Sequence, residues 1–233
     1  MPDDFPPVIL TIDCVLLTLP SDVPAAGLSV ALLMRDTAPF EGVAALPGGY
    51  VHADEDADLE AAARRVLAAK LGIGGARFFL EQLCTVSGSA RDPRGWSASV
   101  VYYALVPEAR LTGVVGRLAP VDALPQLAFD HAAIVARAVE RLRAKTSYSN
   151  LPGFLLPETF TLPELQDVYE RVLGLALDQS VFRKRMDEMN LIEAVPDGFR
   201  KGGRHRPAQL YRLRDGSASL HDRIVAQRPR GRR

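Results

Sequence analysis

Gly48-Gly49-Tyr50-Val51-His52-Ala53-Asp54-Glu55, continuing through Leu59-Glu60-Ala61-Ala62-Ala63-Arg64-Arg65-Val66-Leu67-Ala68-Ala69-Lys70 and closing on Leu71-Gly72-Ile73, is the stretch that decides the fold of the first part of this chain. It consists of a glycine pair, a short polar passage and a helix predicted over about Asp58–Lys70. A glycine loop leading to a helix N-terminus offers backbone N–H groups to an anion, so Gly48 and Gly49 are candidate ligand-binding positions. Residues three and four apart on a helix share a face, and carboxylates so spaced would form a site for a hard divalent cation. Val66 and Ala69 supply no such ligand, and Lys70 brings a positive charge instead. Glu55 and Glu60 lie before or at the start of the helix. A site that holds a phosphate ester, a site with residual hydrolytic activity, and a loop and helix kept only as core all remain open on these residues.

Working outward, Val8–Leu19 and Leu28–Met34 are short aliphatic or β-branched runs predicted as strands, with Pro20, Pro24 and Gly27 marking the turn between them. Arg77–Val86 and Ser97–Val106 form a second strand pair around Ser87–Gly95, and another helix is predicted over about Asp130–Arg143. Strands interleaved with helices predict an α/β domain of helices layered on a mixed sheet over residues 1–147. Tyr148–Pro157, with Pro152, Gly153 and Pro157, is predicted as a linker (148–157).

Beyond it the pattern changes. Thr161-Leu162-Pro163-Glu164 is a capping sequence, followed by apolar residues at Leu165, Val168, Tyr169, Val172 and Leu173 and a stop at Gly174. A second helix is predicted from near Asp178 to Met189, with Val181, Phe182, Arg185, Met186 and Met189 near one face. Leu191–Val195 and Gln209–Leu213 are predicted to pair as a hairpin across a Gly- and Arg-rich loop containing Gly198, Gly202 and Gly203. Helix, turn, helix, hairpin is the order of an α+β winged helix-turn-helix module, here over 158–216, with 217–233 as a basic tail expected to be disordered.

Composition limits the function classes. The 233 residues carry 28 Lys+Arg and 28 Asp+Glu, a balance that by itself predicts no nucleic-acid affinity. The balance hides an asymmetry, for residues 1–150 sum to about −4 and residues 151–233 to about +4. After Gly198 eleven Lys and Arg residues face only Asp215 and Asp222. A mildly acidic first domain with a basic end fits a sensing body attached to a polyanion-binding end. Cys14 and Cys84 sit in strand-like runs, which favours reduced, buried thiols and a cytoplasmic setting. The acidic start Met1-Pro2-Asp3-Asp4 lacks the basic opening of a signal peptide, and the apolar run Val8–Leu19 is interrupted by Asp13, so no membrane span is expected.

Two groups of residues carry candidate chemistry. Arg91 and Arg94 flank Asp92-Pro93 and are followed by Gly95 and Trp96, which supplies two guanidinium groups for phosphate and an indole for a purine. The plainer alternative is a solvated hairpin loop with Trp96 packed on the core. Asp130 is positioned to cap the second helix, and His131 is expected to start that helix or line a pocket. On the basic module, Ser180, Arg183, Lys184 and Arg185 occupy the helix expected to enter the major groove, and Lys201, Arg204 and Arg206 the wing expected to hold phosphate.

The Gly48–Ile73 stretch resembles the Nudix box, with Arg65 at its arginine position and Val66, Ala69 and Lys70 at three glutamate positions. Arg-Asp-Pro-Arg-Gly at 91–95 and Phe129-Asp130-His131 are similar to Nudix proteins that take ADP-ribose. With Leu155–Leu165, Phe182-Arg183-Lys184-Arg185 and Arg206-Pro207-Ala208-Gln209-Leu210-Tyr211, nearly the whole chain resembles the Nudix-related transcriptional regulators of NAD metabolism, the NrtR family. That resemblance implies a Nudix α/β/α sandwich with a mixed sheet followed by the winged helix. It also implies a homodimeric bacterial repressor that binds palindromic operator DNA of NAD biosynthesis or salvage genes and is released by ADP-ribose or a related NAD metabolite. No cofactor or resident metal is expected, and the box substitutions argue against catalysis. The competing expectations are an active ADP-ribose pyrophosphatase with a DNA-binding appendage and an interaction scaffold in which both modules are relics.

Overall fold

A computed structural model of the chain describes residues 8–21, 26–74, 78–111, 116–200, 207–214 and 218–219. Seven strands build one mixed sheet: β1 Ile9–Thr18, β2 Ser29–Met34, β3 Ala44–Ala45, β4 Gly48–Tyr50, β5 Phe79–Gly88, β6 Ser97–Leu105 and β7 Arg117–Pro120. Their order is β3-β2-β1-β6-β5, with β4 also pairing β1 and β7 also pairing β2. β1 and β6 run parallel in the centre, and the other pairs are antiparallel.

The largely apolar run of β1, broken by Thr11 and Asp13, follows from its two covered faces, because alternate side chains point to opposite sides of a sheet. Ile12, Cys14 and Leu16 pack with Ala62, Ala63, Val66, Leu67 and Leu71 of helix α1, Leu59–Leu71. Val15 and Leu17 pack on the other side with Ile134, Val135, Ala138 and Leu142 of helix α2, His131–Thr146. This is the expected α/β/α layering. α1 begins where the sequence places it, since the Asp58 carboxylate accepts from the Ala61 amide at 2.7 Å. It ends on Gly72, which takes φ 66° in the left-handed region that favours glycine. Cys14 is buried and Cys84 half-buried, and both are free thiols. Among the described residues no helix is long and apolar enough to cross a membrane.

The stretch predicted as a linker is folded. Residues Leu151–Leu155 form a 3₁₀ turn, and Leu151 and Leu155 enter the same core as α2. Pro152 and Gly153 suggest a loop from sequence, but the leucines around them supply apolar area that the core takes up. Gly153 is also a point of close approach, because a Cβ there would come 2.6 Å from Leu213 Cδ2.

Helix α3, Leu162–Leu173, carries the predicted capping box of Thr161 and Glu164 and stops on left-handed Gly174. Its apolar stripe is divided between two cores. Val168 and Val172 pack into the α2 side of the first domain, whereas Leu165 and Tyr169 pack with Phe160 and with helix α4, Gln179–Met189. Polar contacts reinforce the join. Arg171 donates to the carbonyls of Pro20 and Ala26, Arg143 Nε donates to the Val172 carbonyl at 3.1 Å, and the Tyr169 hydroxyl donates to the Ser149 carbonyl at 2.7 Å.

α4 buries Phe182, Met186 and Met189, but Val181, expected on that face, is exposed and Arg185 only partly covered. The buried stripe is narrower than the sequence pattern, and its three side chains share one core with Leu165 and Tyr169 of α3 and with Phe160, Leu191 and Ile192. Strands β8, Ile192–Arg200, and β9, Ala208–Leu213, pair antiparallel, with a register shift between Ala194 and Phe199. The hairpin is longer than predicted, and Phe160 adds a bridge to Tyr211 through hydrogen bonds of 2.9 and 2.7 Å.

Candidate ligand site and nucleic-acid surface

β2 pairs with β1 only near Leu17 and Thr18, which leaves the first half of β1 open on that side. Gly48, Gly49 and Tyr50 take that edge, opposite Asp13, Ile12 and Thr11. The glycine pair is therefore strand and not the expected anion-cradling loop. Gly48 is required by close approach, since a Cβ would lie 2.5 Å from Asp13 Oδ1 and 2.9 Å from the Ile12 carbonyl. The N-terminus of α1 lies beyond the intervening residues 51–57, and Asp58 already occupies it.

Asp13 is buried beneath β4, and a buried carboxylate needs partners. Arg91 donates to it at 3.4 Å, to both oxygens of Asp130 at 3.2 and 2.9 Å, and to Ser97 Oγ at 3.4 Å. The Arg91 side chain is 9% exposed, so its role is to hold this network rather than to stand free as a phosphate contact. Asp130 does occupy the cap position of α2, but its carboxylate makes no cap hydrogen bond because Arg91 draws it away. His131 is the first residue of α2 and is buried. Its Nδ1 accepts from the Leu46 amide at 2.9 Å, while Nε2 lies 3.6 Å from Asp13 Oδ1. Burial lowers the His131 pKa despite Asp13, so the ring is neutral with its proton on Nε2.

A second group gathers around Tyr50. Arg65 donates twice to the Asp56 carboxylate, both at 2.7 Å, and once to the Tyr50 carbonyl at 3.0 Å. Hydrogen bonding from Arg65 lowers the Asp56 pKa to about 2, and the Asp56 carboxylate is 3% exposed. Arg94 donates to Asp92 at 3.0 and 2.7 Å and to the Tyr50 hydroxyl at 2.7 Å. The Asp92 pKa is lowered chiefly by those Arg94 hydrogen bonds. Trp96 is 49% exposed rather than packed into the core, and its carbonyl accepts from the Ile9 amide at 3.2 Å.

The structure thus brings Gly48, Gly49, Arg65, Arg91, Arg94, Trp96, Asp130 and His131 together around β4 and the first half of β1. Arg65 and Arg94 are partly exposed beside the half-exposed rings of Tyr50 and Trp96, a set able to meet a phosphate and a flat base. All three arginines already have carboxylate partners, so an anion would have to share them. Sequence reasoning missed Tyr50, Asp56 and Asp13, although the interruption of an apolar run by Asp13 was a usable signal.

Phe129, beside this group, packs against Phe40 at 4.7 Å, His131 at 5.3 Å and the Arg35 guanidinium at 4.9 Å. Phe40 and Phe129 have φ of 66° and 52°, an uncommon conformation for aromatic residues that the surrounding contacts must hold. At the box positions, Val66 is buried in the α1 core, while Ala69 and Lys70 face outward. Among the described residues no group of three or more His, Cys, Asp or Glu is placed to hold a metal ion, and these side chains do not fit the Mg²⁺ site that an active Nudix box implies.

On α4, Ser180, Arg183 and Lys184 are exposed, and Arg185 is drawn to Glu188 at 3.6 Å. Ser180 Oγ is engaged by the Asp178 carboxylate at 2.5 Å. Lys201, Arg204 and Arg206 lie outside the described residues, as do 220–233 of the predicted tail. Of the described basic residues on the hairpin, Arg200 pairs with Glu164, and Arg212 and Arg214 pair with Glu193.

An α/β/α Nudix-like domain joined through a shared helix to a winged helix-turn-helix defines the class of protein. Residues 152–213 match the NrtR DNA-binding winged helix domain. Over 217 residues, 90% of this chain and 84% of the relative, the sequence is 38% identical to the ADPR-responsive transcriptional repressor NtrR of Acinetobacter baylyi. The fold is similar to Shewanella oneidensis NrtR crystallised with a 27mer DNA, with a TM-score of 0.81, 37% identity and coverage of 92% of this chain and 98% of that one. A MutT/nudix family protein from Enterococcus faecalis is also similar, with a TM-score of 0.73, 25% identity and coverage of 91% and 88%. The chain belongs to the NrtR family.

Proposed function

We propose that this chain is a ligand-responsive transcriptional repressor that binds operator DNA through the winged helix and is released when ADP-ribose occupies the Nudix-like domain. The observation that carries the reading is α3, which places Val168 and Val172 in the core of the first domain and Leu165 and Tyr169 in the core of the DNA-reading module. A helix common to both cores links the position of α4 to the packing of the sensor. The ADPR response of the Acinetobacter baylyi relative and the DNA complex of the Shewanella oneidensis relative support the two halves of the reading.

In this reading Arg65, Arg94, Tyr50 and Trp96 face the ligand, and Arg91, Asp130 and His131 hold the loop and helix behind them. Gly48 and Gly49 let β4 lie close to β1. Ser180, Arg183, Lys184 and Arg185 meet DNA from α4, joined by Lys201, Arg204 and Arg206 from the wing. The domains divide as 1–147 and 158–216 around the folded connection 148–157. The protein acts in the cytoplasm as a homodimer, because two half-sites of a palindromic operator need two reading heads. The regulated genes are those of NAD biosynthesis or salvage. Val66, Ala69 and Lys70 at the box positions support a domain that keeps its ligand intact.

The test is a gel shift of the gene's own upstream region with and without ADP-ribose. Retardation that ADP-ribose relieves supports the proposal, and retardation indifferent to millimolar ADP-ribose and NAD sinks the switching part. Chromatography of ADP-ribose incubated with the protein and Mg²⁺ checks the loss of catalysis, since release of AMP would overturn it.

A further inference from the structure

The outward surface of α4 has an internal polarity. With Phe182, Met186 and Met189 turned inward, the exposed positions are Gln179, Ser180, Val181, Arg183 and Lys184 in the first half and Asp187 and Glu188 in the second. A polyanion selects the first half, since the acids of the second half repel phosphate. The N-terminal residues of a recognition helix are also those that reach base edges.

Within that half Val181 stands apart. It is the only apolar side chain there and is 51% exposed. Its amide donates to the Asp178 carboxylate at 2.9 Å, and Ser180 Oγ binds the same carboxylate, so the first turn is fixed and the serine hydroxyl is already used. A β-branched side chain on a helix has one strongly preferred χ1, which makes Val181 a rigid apolar projection. Lys184, one turn on, lies beside it on the outward surface. The apolar group that a base presents in the major groove is the C5-methyl of thymine.

We infer that Val181 is a specificity-determining residue that packs against a thymine methyl in each operator half-site; this rests on the winged-helix reading of α4. The contact discriminates against cytosine and the purines without a hydrogen bond. Lys184 and Arg183 supply the neighbouring phosphate or base-edge contacts.

The test uses the full chain and the shortest duplex from its own upstream region that it retards. Each thymine is replaced singly by deoxyuridine, which removes the methyl and leaves the pairing unchanged. Wild type and Val181→Ala are titrated in parallel, with circular dichroism to verify that the variant is folded. One deoxyuridine position per half-site should weaken wild-type binding about three- to fivefold, the worth of one buried methyl. The same position should have no effect on Val181→Ala, which should bind the unmodified duplex about as weakly as wild type binds the modified one. If no position affects wild type, or if every position affects both proteins equally, the inference is overturned while the DNA-binding reading stands. If wild type retards no duplex, both fall.

Discussion

Val172→Ala tests whether the two modules share a core. Val172 is fully buried, and although it belongs to the segment that matches the winged helix family, it packs with the α2 side of the first domain. The substitution removes two methyl groups, worth about 0.8 kcal/mol each in transfer, and leaves a cavity that brings the loss to about 2–3 kcal/mol. For a chain of this length that corresponds to about 5–10 °C in Tm. The protein supplies its own reporter, because its single tryptophan, Trp96, lies beside β1 in the first domain. Thermal or urea unfolding is followed by Trp96 fluorescence and by far-ultraviolet circular dichroism. Both transitions should move down together in Val172→Ala. Met186→Ala, in the core formed by α3 and α4, serves as the comparison that weakens the reading module alone. A Trp96 transition left unchanged by Val172→Ala, with only the dichroism shifted, would refute the shared helix.

Gly48→Ala should destabilise by about 1–3 kcal/mol, measured by urea denaturation, because the Ile12 carbonyl at 2.9 Å is backbone and cannot yield as a side chain can. A neutral result would mean that β4 does not lie against Asp13. His131 gives a pH test. Its folded pKa is lowered by burial below the ordinary value of 6.5, so between the two values the unfolded chain binds more protons and stability falls as pH drops below about 6.5. One proton sets an upper bound of about 1.4 kcal/mol per pH unit on that slope, and His131→Gln should flatten it. An identical pH profile in that variant would contradict the neutral buried ring. On the DNA side, Lys184→Ala should lower affinity and reduce the slope of log K against log salt by about 0.9, the share of one phosphate contact. A slope unchanged within error would remove Lys184 from the phosphate surface.

Much of the architecture was legible because it is written in local chemistry. Asp58 and Thr161 announce helix starts, Gly72 and Gly174 announce stops, and the observed helices begin or end on those residues. β1 could be recognised by its apolar run, and the order of helices and hairpin in the second module was correct. The candidate site was half legible. The candidate residues do converge around β4, but Gly48-Gly49 looked like a loop because nothing local shows that half of β1 lacks a neighbour. Arg91 looked available to a ligand because its partners are remote in sequence, Asp130 by 39 positions and Asp13 by 78. Val181 looked buried because helical spacing marks an apolar arc without showing how wide a neighbour covers it.

By itself the sequence determined the order of the long strands and the helices, the helix ends at Asp58, Thr161 and Gly174, the missing box carboxylates and the basic end, all of which depend on residue type and on spacings of a few positions. Only the tertiary structure decided which carboxylate each arginine binds, that the supposed linker is packed, and that α3 serves two cores. An apolar stripe states that a surface must leave water, since the hydrophobic effect is non-directional. Which partner covers that surface depends on chain segments brought together from far apart.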